Sequence, residues 1–100
     1  MASGILADLN GNVISCGAGA ERIFGYTEAE VLGKSVAVFH PERTRSMLPR
    51  LVAEALAGRF REEVVLVRKN GEEFRALLEV TPVRNAKGEV TGLMGLTKEL

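Results

Sequence analysis

His40 and Cys16 are the only histidine and the only cysteine among the 100 residues, and their side chains are well suited to acid–base, nucleophilic or metal chemistry. A single cysteine cannot form an internal disulfide, and the sequence has no CxxC pair or Cys/His spacing of a zinc site. We therefore expect no bound metal. We interpret Cys16 as a small buried hydrophobe, with a redox switch as the alternative.

His40 lacks the neighbours that catalysis requires. The sequence contains no GxSxG, HExxH or glycine-rich phosphate motif, and neither a nucleophile nor an orienting acid stands at motif distance from the histidine. The glycine-rich run Gly17–Glu21 lacks the third glycine of a dinucleotide site. We predict that the protein is not an enzyme. We interpret His40 as an exposed loop residue that helps to cap the next helix, with a ligand role as the alternative.

The balance of charge argues against several kinds of partner. Thirteen basic and thirteen acidic residues leave no net charge, and there is no tryptophan and one tyrosine, so binding to nucleic acid is not expected. Arg43, Arg45 and Arg50 fit a solvated face with ion pairs, and a site for an anionic ligand is the alternative. The sequence shows neither a signal peptide nor a membrane-spanning stretch. We expect one cytoplasmic domain over residues 1–100, without membrane contact.

Local patterns in the first third of the chain predict the elements that would position these residues. Two short apolar runs flank Asn10-Gly11, which predicts a hairpin with a tight two-residue turn. A helical pattern that ends at Gly25, followed by a capping box of Thr27 and Glu30, predicts two short helices.

The rest of the chain predicts one long helix and three strands. Pro41 opens the helix, Gly58 ends it, and Pro49 inside it should cause a kink. The strands are separated by turns in the stretches RKNGEE and RNAKGE, and the middle strand alternates between apolar and mainly polar residues. Short helices packed across a curved sheet leave room for a cavity.

Two long stretches of the sequence resemble PAS sensory domains. They are DLNGNVISCGAGAERIFGYTEAEVLGKS and RKNGEEFRALLEVTPVRNAKGEVTGLMGLTKEL, and the predicted order of elements agrees with that family. Each motif is weak alone, but together and at the right separations they are specific. One departure is Gly17, where many members carry an asparagine that ties the second strand to the helical segment.

The resemblance implies an α+β fold, with a five-stranded antiparallel sheet in the order 2-1-5-4-3 and helices covering one face. It also implies a sensory module for signal transduction, as in two-component sensor histidine kinases. Such a module binds a small ligand or mediates dimerisation, and relays a conformational change to a C-terminal output domain. Because GLTKEL stands where the family's linker begins, we expect a domain excised from a larger protein. The alternatives are a haem- or flavin-binding redox or gas sensor and an autonomous small-molecule carrier.

The cofactor positions of the family are occupied by other residues here. Flavin-binding light sensors that resemble this chain carry their reactive cysteine at the position of Val36 and an arginine at that of Ala37. Haem-binding members place the axial histidine where Leu48 stands, and Thr97 occupies the place of a flavin-contacting glutamine. Without the thiol and the imidazole, no cofactor is expected by default, and the ligand stays unknown.

Alternation along the strands and helices assigns residues to the two faces of the sheet. Apolar residues on the outer face predict a homodimer through that face, because an exposed apolar patch usually marks an interface; they are Leu6, Val65, Val67, Leu77, Met94 and Leu96. The candidate residues lining a pocket on the inner face are Phe39, Leu48, Leu51, Leu78, Leu93 and Thr97.

Overall fold

The computed structural model describes residues 3–100. Two strands come first, a helical segment follows, and three strands complete the chain, as predicted. The elements are β1 Gly4–Asp8, β2 Val13–Cys16, α1 Ala18–Phe24, α2 Glu28–Val31, a first 3₁₀ helix Val36–Phe39, a second 3₁₀ helix Glu42–Met47, α3 Leu48–Leu56, β3 Phe60–Val67, β4 Glu73–Arg84 and β5 Val90–Glu99.

The five strands form one antiparallel sheet in the order β2-β1-β5-β4-β3, which confirms the predicted fold. Alternation in β4 is as expected, because its apolar inner residues are buried and the residues between them are at least partly exposed. The helical segment covers the inner face, where the core lies. Among the described residues, no helix is long and apolar enough to cross a membrane.

The connection between β1 and β2 differs from the predicted two-residue turn. Strand β1 ends at Asp8, and four residues, Leu9 to Asn12, form the connection. The Asp8 carboxylate accepts hydrogen bonds from the backbone N–H groups of Asn10 and Asn12, both at 2.9 Å. Of the four residues only Gly11 has a positive φ, whereas the predicted turn needs two such residues. The aspartate side chain therefore sets the turn.

The two short helices form as predicted. Gly25 ends α1 in the left-handed conformation, with φ 79°. Thr27 and Glu30 form the capping box of α2: the Glu30 N–H donates to Thr27 Oγ1 at 3.3 Å, and the Thr27 N–H donates to Glu30 Oε1 at 2.8 Å.

A carboxylate ties β2 to the helical segment. Glu28 Oε2 accepts a hydrogen bond of 2.8 Å from the backbone N–H of Cys16, and the Glu28 N–H donates to Glu21 Oε2 at 2.6 Å. Gly17 is the N-cap of α1 and makes no side-chain capping bond, and its own N–H donates to the carbonyl oxygen of Gly4 at 2.9 Å. Glu28 thus makes the link between β2 and the helical segment for which the resemblance implies an asparagine at position 17.

The predicted long helix is in fact two helices. Residues Glu42–Met47 form a 3₁₀ helix, and α3 begins at Leu48, so that Pro49 lies in the first turn and not in the interior. Proline has no N–H to donate to the carbonyl of Arg45, four residues before it; that carbonyl accepts instead from the Leu48 N–H, three residues along. The proline separates two helices and does not kink one.

Candidate ligand-binding cavity

A cavity of about 380 Å³ lies between the inner face of the sheet and the helical segment. Strand residues from β1, β3, β4 and β5 form its floor, while α3 and the first 3₁₀ helix form its cover. It exists because α3 is only nine residues long and rests on β3 and β4, which leaves the sheet beside it without a helix of equal bulk.

All six residues that the sequence suggested as pocket lining lie on the wall of this one cavity: Phe39, Leu48, Leu51, Leu78, Leu93 and Thr97. Thr97 and Leu78 are paired across β5 and β4. The residues that the sequence assigned to the inner face therefore lie together on the wall of one cavity. That they contact a ligand stays a prediction.

The mouth of the cavity is marked by wall residues that are also exposed to solvent. Leu9, which is 55% exposed, and Asn10 lie on the β1–β2 turn. Ser35 lies just before the first 3₁₀ helix, and Pro49 lies in the first turn of α3. The turn organised by Asp8 and the separation of the helices at the proline thus shape the entrance. Neither was predicted from the sequence.

The chemistry of the wall is almost entirely apolar. Among the described residues that line the cavity, none carries a carboxylate, ammonium or guanidinium group. The polar side chains are Asn10 and Ser35 at the mouth, and His40 and Thr97, which are 5% and 6% exposed. A molecule bound inside would exchange water for an apolar surface with few hydrogen-bonding groups.

The prediction that His40 is exposed is wrong. The residue lies in the loop between the two 3₁₀ helices, as expected, but it is buried and lines the cavity. Within residues 3–100, its Nδ1 atom has no hydrogen-bond partner. Burial, aided by the positive charge of Arg45, lowers the pKa of His40 to about 4, so the imidazole is neutral at neutral pH. The predicted helix cap is absent too, since the second 3₁₀ helix has no side-chain capping bond.

The loop around His40 is held by a guanidinium group. Arg45 Nε donates to the carbonyl oxygens of Ala37 and His40, at 3.0 and 3.1 Å. The backbone N–H of His40 also donates to the Ala37 carbonyl, at 3.1 Å. Phe39 and Pro41, on either side of the histidine, are buried. The apolar neighbours were the signal in the sequence that the residue between them is buried.

The other arginines near α3 form exposed ion pairs, as expected for a solvated face. Arg50 Nη1 lies 2.8 Å from Glu54 Oε1 and 2.9 Å from Glu62 Oε2. Arg43 Nη2 lies 2.7 Å from Glu73 Oε1. None of these side chains lines the cavity.

The wall lacks the side chains with which, by the resemblance, a flavin or a haem would be held. Val36 and Leu48, at the positions of the reactive cysteine and the axial histidine, both line the cavity. Cys16 is buried but is not part of the wall, and burial, with Glu21 and Glu28 nearby, raises the pKa of its thiol. The charged side groups of haem or of a flavin nucleotide would meet no cationic side chain of the lining.

In the part of the chain that the structure describes, no group of three or more histidine, cysteine, aspartate or glutamate side chains is placed to hold a metal ion. Cys16 is a buried free cysteine, in keeping with its interpretation as a small hydrophobe.

The sheet order and the cavity beneath the helices define the PAS fold. A family model described as PAS domain matches residues 2–99, and the chain belongs to this family. PAS domains are in general sensory, non-catalytic modules found in signalling proteins that include ion channels and light-oxygen-voltage photoreceptors.

Solved structures show the same fold at low sequence identity. A PAS domain from Colwellia psychrerythraea superposes with a TM-score of 0.92 and 20% identity, over 99% of this chain and 86% of that one. A light-oxygen-voltage domain studied with a flavin analogue gives a TM-score of 0.84 and 19% identity, over 100% of this chain and 78% of that one.

Potassium channels are among the curated relatives. The human voltage-gated inwardly rectifying potassium channel KCNH3 is 34% identical over 83 residues, which are 78% of this chain. The matched region is 8% of the channel, so the chain spans a small part of the length of the relatives it matches.

Proposed function

We propose that this chain is a non-catalytic sensory module that binds a small molecule in the cavity and passes the resulting change to an output domain on its C-terminal side. The observation that carries the proposal is the double role of β5. Leu93, Gly95 and Thr97 line the cavity, whereas the intervening Met94 and Leu96 lie on the outer face of the same strand. A ligand that moves the inner residues moves the outer ones with them.

Two observations support a role without catalysis inside a larger protein. His40 is the only titratable side chain among the described wall residues, and no carboxylate or thiol of the wall accompanies it as an orienting group or nucleophile. The similar channels are far longer than the region they share with this chain. We also propose that the output domain is an enzyme such as a histidine kinase. A cytoplasmic location is proposed as well, and the single buried free Cys16 favours it.

The outer face of the sheet is proposed as the route of the signal between two copies of the chain. Leu6 lies opposite Met94, while Leu96 lies opposite Gly4 on one side and Glu79 on the other. Leu96 is 40% exposed, and Leu6 and Met94 are half-buried. A two-fold dimer through this face would place β5 of each copy at the interface, where its position controls the spacing of the C-terminal ends.

Native mass spectrometry tests the ligand-binding proposal. The protein, purified from cells without added ligand, is compared in native and denaturing solvents. We expect a native mass that exceeds the chain mass by that of a small molecule, and the excess should be lost in a Leu48→Trp variant that fills the cavity. Equal native and denatured masses, together with failure to take up small apolar probes, would reject the proposal.

A further inference from the structure

We propose that the ligand is an uncharged, apolar molecule that lies against the backbone of Gly95 and occupies the space of its missing side chain. The inference rests on the ligand-binding function proposed above, and it specifies the chemistry of the ligand and the place where it lies. Three features support it: the position of Gly95 in the floor of the cavity, a backbone that does not require a glycine there, and the absence of charge in the cavity wall.

Gly95 lies in the middle of the cavity floor. It is paired with Ile5 on β1 and with Val80 on β4, so the three residues form a row across the three central strands of the sheet. Residues that are directly paired in an antiparallel sheet have their side chains on the same face. Ile5 and Val80 line the cavity, and so does Gly95. A side chain at position 95 would therefore extend into the cavity, and the glycine leaves a depression between its two neighbours.

The backbone at position 95 does not require a glycine. The φ angle of Gly95 is not positive. A β carbon built on it would meet only the Ile5 carbonyl oxygen at 3.8 Å and Leu78 Cδ1 at 3.9 Å, which are ordinary contacts. Gly92 on the same strand differs, because its β carbon would lie 2.4 Å from the Ala7 carbonyl oxygen. A glycine inside a strand weakens the strand. The space above Gly95, and not its backbone, therefore accounts for the glycine.

The cavity wall selects against charged ligands. Among the described residues that line it, none carries a carboxylate, ammonium or guanidinium group. His40 is the only titratable side chain of this lining, and burial, aided by the charge of Arg45, lowers its pKa to about 4, so it is neutral at neutral pH. A buried ion is stable only when it is paired or richly hydrogen-bonded. An ion placed against Gly95 would have no charged partner on this wall.

The surroundings of Gly95 favour a compact apolar body. Leu78 and Leu93 line the cavity from the sheet, while the rings of Phe24 and Phe39 line it from the helical segment, with their centroids 4.6 Å apart. A cavity of about 380 Å³ lies near the lower limit of small-molecule pockets, which begin at roughly 300 Å³. A molecule of one or two rings, or a short branched chain, suits these dimensions.

Three probes of similar shape test the charge of the ligand. At neutral pH, 2-naphthol is uncharged, 2-naphthoate is an anion and 2-naphthylmethylammonium is a cation. Their dissociation constants for the wild type are measured by fluorescence titration. 2-Naphthol should bind at least about tenfold more tightly than either ion. Equal or tighter binding of an ion would overturn the inference while leaving ligand binding intact.

Two variants test the place where the ligand lies. Gly95→Leu fills the depression and should weaken the binding of 2-naphthol by about tenfold or more, and Gly95→Ala should weaken it less. The matched control is Thr91→Val, which changes an exposed residue of the same strand outside the cavity lining and should bind 2-naphthol as the wild type does. In urea denaturation Gly95→Ala should be at least as stable as the wild type, which separates lost affinity from a lost fold. Unchanged affinity in both Gly95 variants would overturn the inference.

NMR of the wild type measures the contact directly. An aromatic ring shifts the resonances of protons that lie against its face, so the α-proton resonances of Gly95 should move on addition of 2-naphthol. Those of Gly92, which does not line the cavity, are the internal reference and should move much less. Equal shifts at the two glycines would overturn the inference while leaving ligand binding intact. If none of the probes binds the wild type, the inference fails, and the ligand-binding function fails with it when the native mass also shows no bound molecule.

Discussion

Thr97 and Leu96 are neighbours in β5 but face opposite sides of the sheet. Thr97 is 6% exposed and lines the cavity, whereas Leu96 is 40% exposed on the outer face. The two surfaces are therefore separated by one peptide unit, and no helix or loop has to move for one to affect the other. This relationship makes β5 the shortest physical path from a bound molecule to a partner on the outer face.

The central part of the sheet depends on a glycine at position 92. A β carbon on Gly92 would lie 2.4 Å from the carbonyl oxygen of Ala7, so Gly92→Ala must separate β1 from β5. We expect a loss of about 1–3 kcal/mol in the free energy of unfolding, measured by urea denaturation. The matched control is Gly95→Ala on the same strand, whose β carbon would meet only ordinary contacts of 3.8 Å or more. Similar stabilities for the two variants would show that the close approach is not rigid.

The link between β2 and the helical segment depends on Glu28. Removal of its carboxylate in Glu28→Ala leaves the Cys16 N–H without the partner it has at 2.8 Å, and we expect a loss of about 1.5–3 kcal/mol in urea denaturation. Glu28→Gln, which keeps an acceptor oxygen, should lose less. Glu42→Ala, on the exposed second 3₁₀ helix, is the control and should change stability by less than about 0.5 kcal/mol. Equal losses of stability in Glu28→Ala and Glu42→Ala would show that the Glu28 carboxylate does not stabilise the link to β2.

The stability of the protein should depend on pH through His40. Its pKa is about 4 when folded and 6.5 in the reference state, so the unfolded chain binds a proton that the folded chain refuses. The contribution of the neutral imidazole is complete above pH 6.5 and is lost as the pH falls toward 4. Between pH 7 and pH 5 the free energy of unfolding should fall by about 2 kcal/mol.

The control for this pH dependence is the His40→Phe variant, which should show a nearly flat profile over the same range. The carboxylates whose pKa values are lowered by cationic partners, Glu30, Glu62 and Glu73, have a reference value of 4.5 and lose their contribution only below it. An equally steep fall in the variant would mean that another group controls the profile.

Self-association through the outer face is tested at Leu96. Analytical ultracentrifugation of the wild type over a concentration series should show a monomer–dimer equilibrium, which Leu96→Glu should shift to monomer because two charges would be buried against an apolar patch. Leu56→Glu changes a similarly exposed leucine on α3, away from this face, and should leave the dimer intact. A wild type that stays monomeric at high micromolar concentration would exclude this interface.

Strand alternation and capping motifs were sufficient to predict much of the architecture. The period of two in β4 and β5 placed Leu78, Leu93 and Thr97 on the inner face, because each side of a strand faces a fixed side of the sheet. The Thr27/Glu30 box fixed the start of α2, because both of its bonds are local in sequence. Sheet order came from the resemblance to the family and not from local patterns.

The features that escaped prediction depend on contacts formed only in the fold. A four-residue connection forms in place of the expected two-residue turn because the Asp8 carboxylate accepts hydrogen bonds from two backbone N–H groups. Pro49 lies in the first turn of α3 because the preceding segment can tighten to a 3₁₀ helix. His40 is buried together with its neighbours Phe39 and Pro41, and composition alone treats a loop histidine as exposed.

Hydrogen exchange of the wild type with and without saturating 2-naphthol, a small apolar probe, followed residue by residue by NMR, shows whether the cavity communicates with the outer face through β5. We expect slower exchange at β5, from Leu93 to Thr97, and at its partner strand β1, in addition to the helices over the cavity. Leu48→Trp, with the cavity filled, should show no change. Slower exchange confined to α3, with β5 unchanged at full occupancy of the probe, would contradict the claim that the cavity communicates with the outer face.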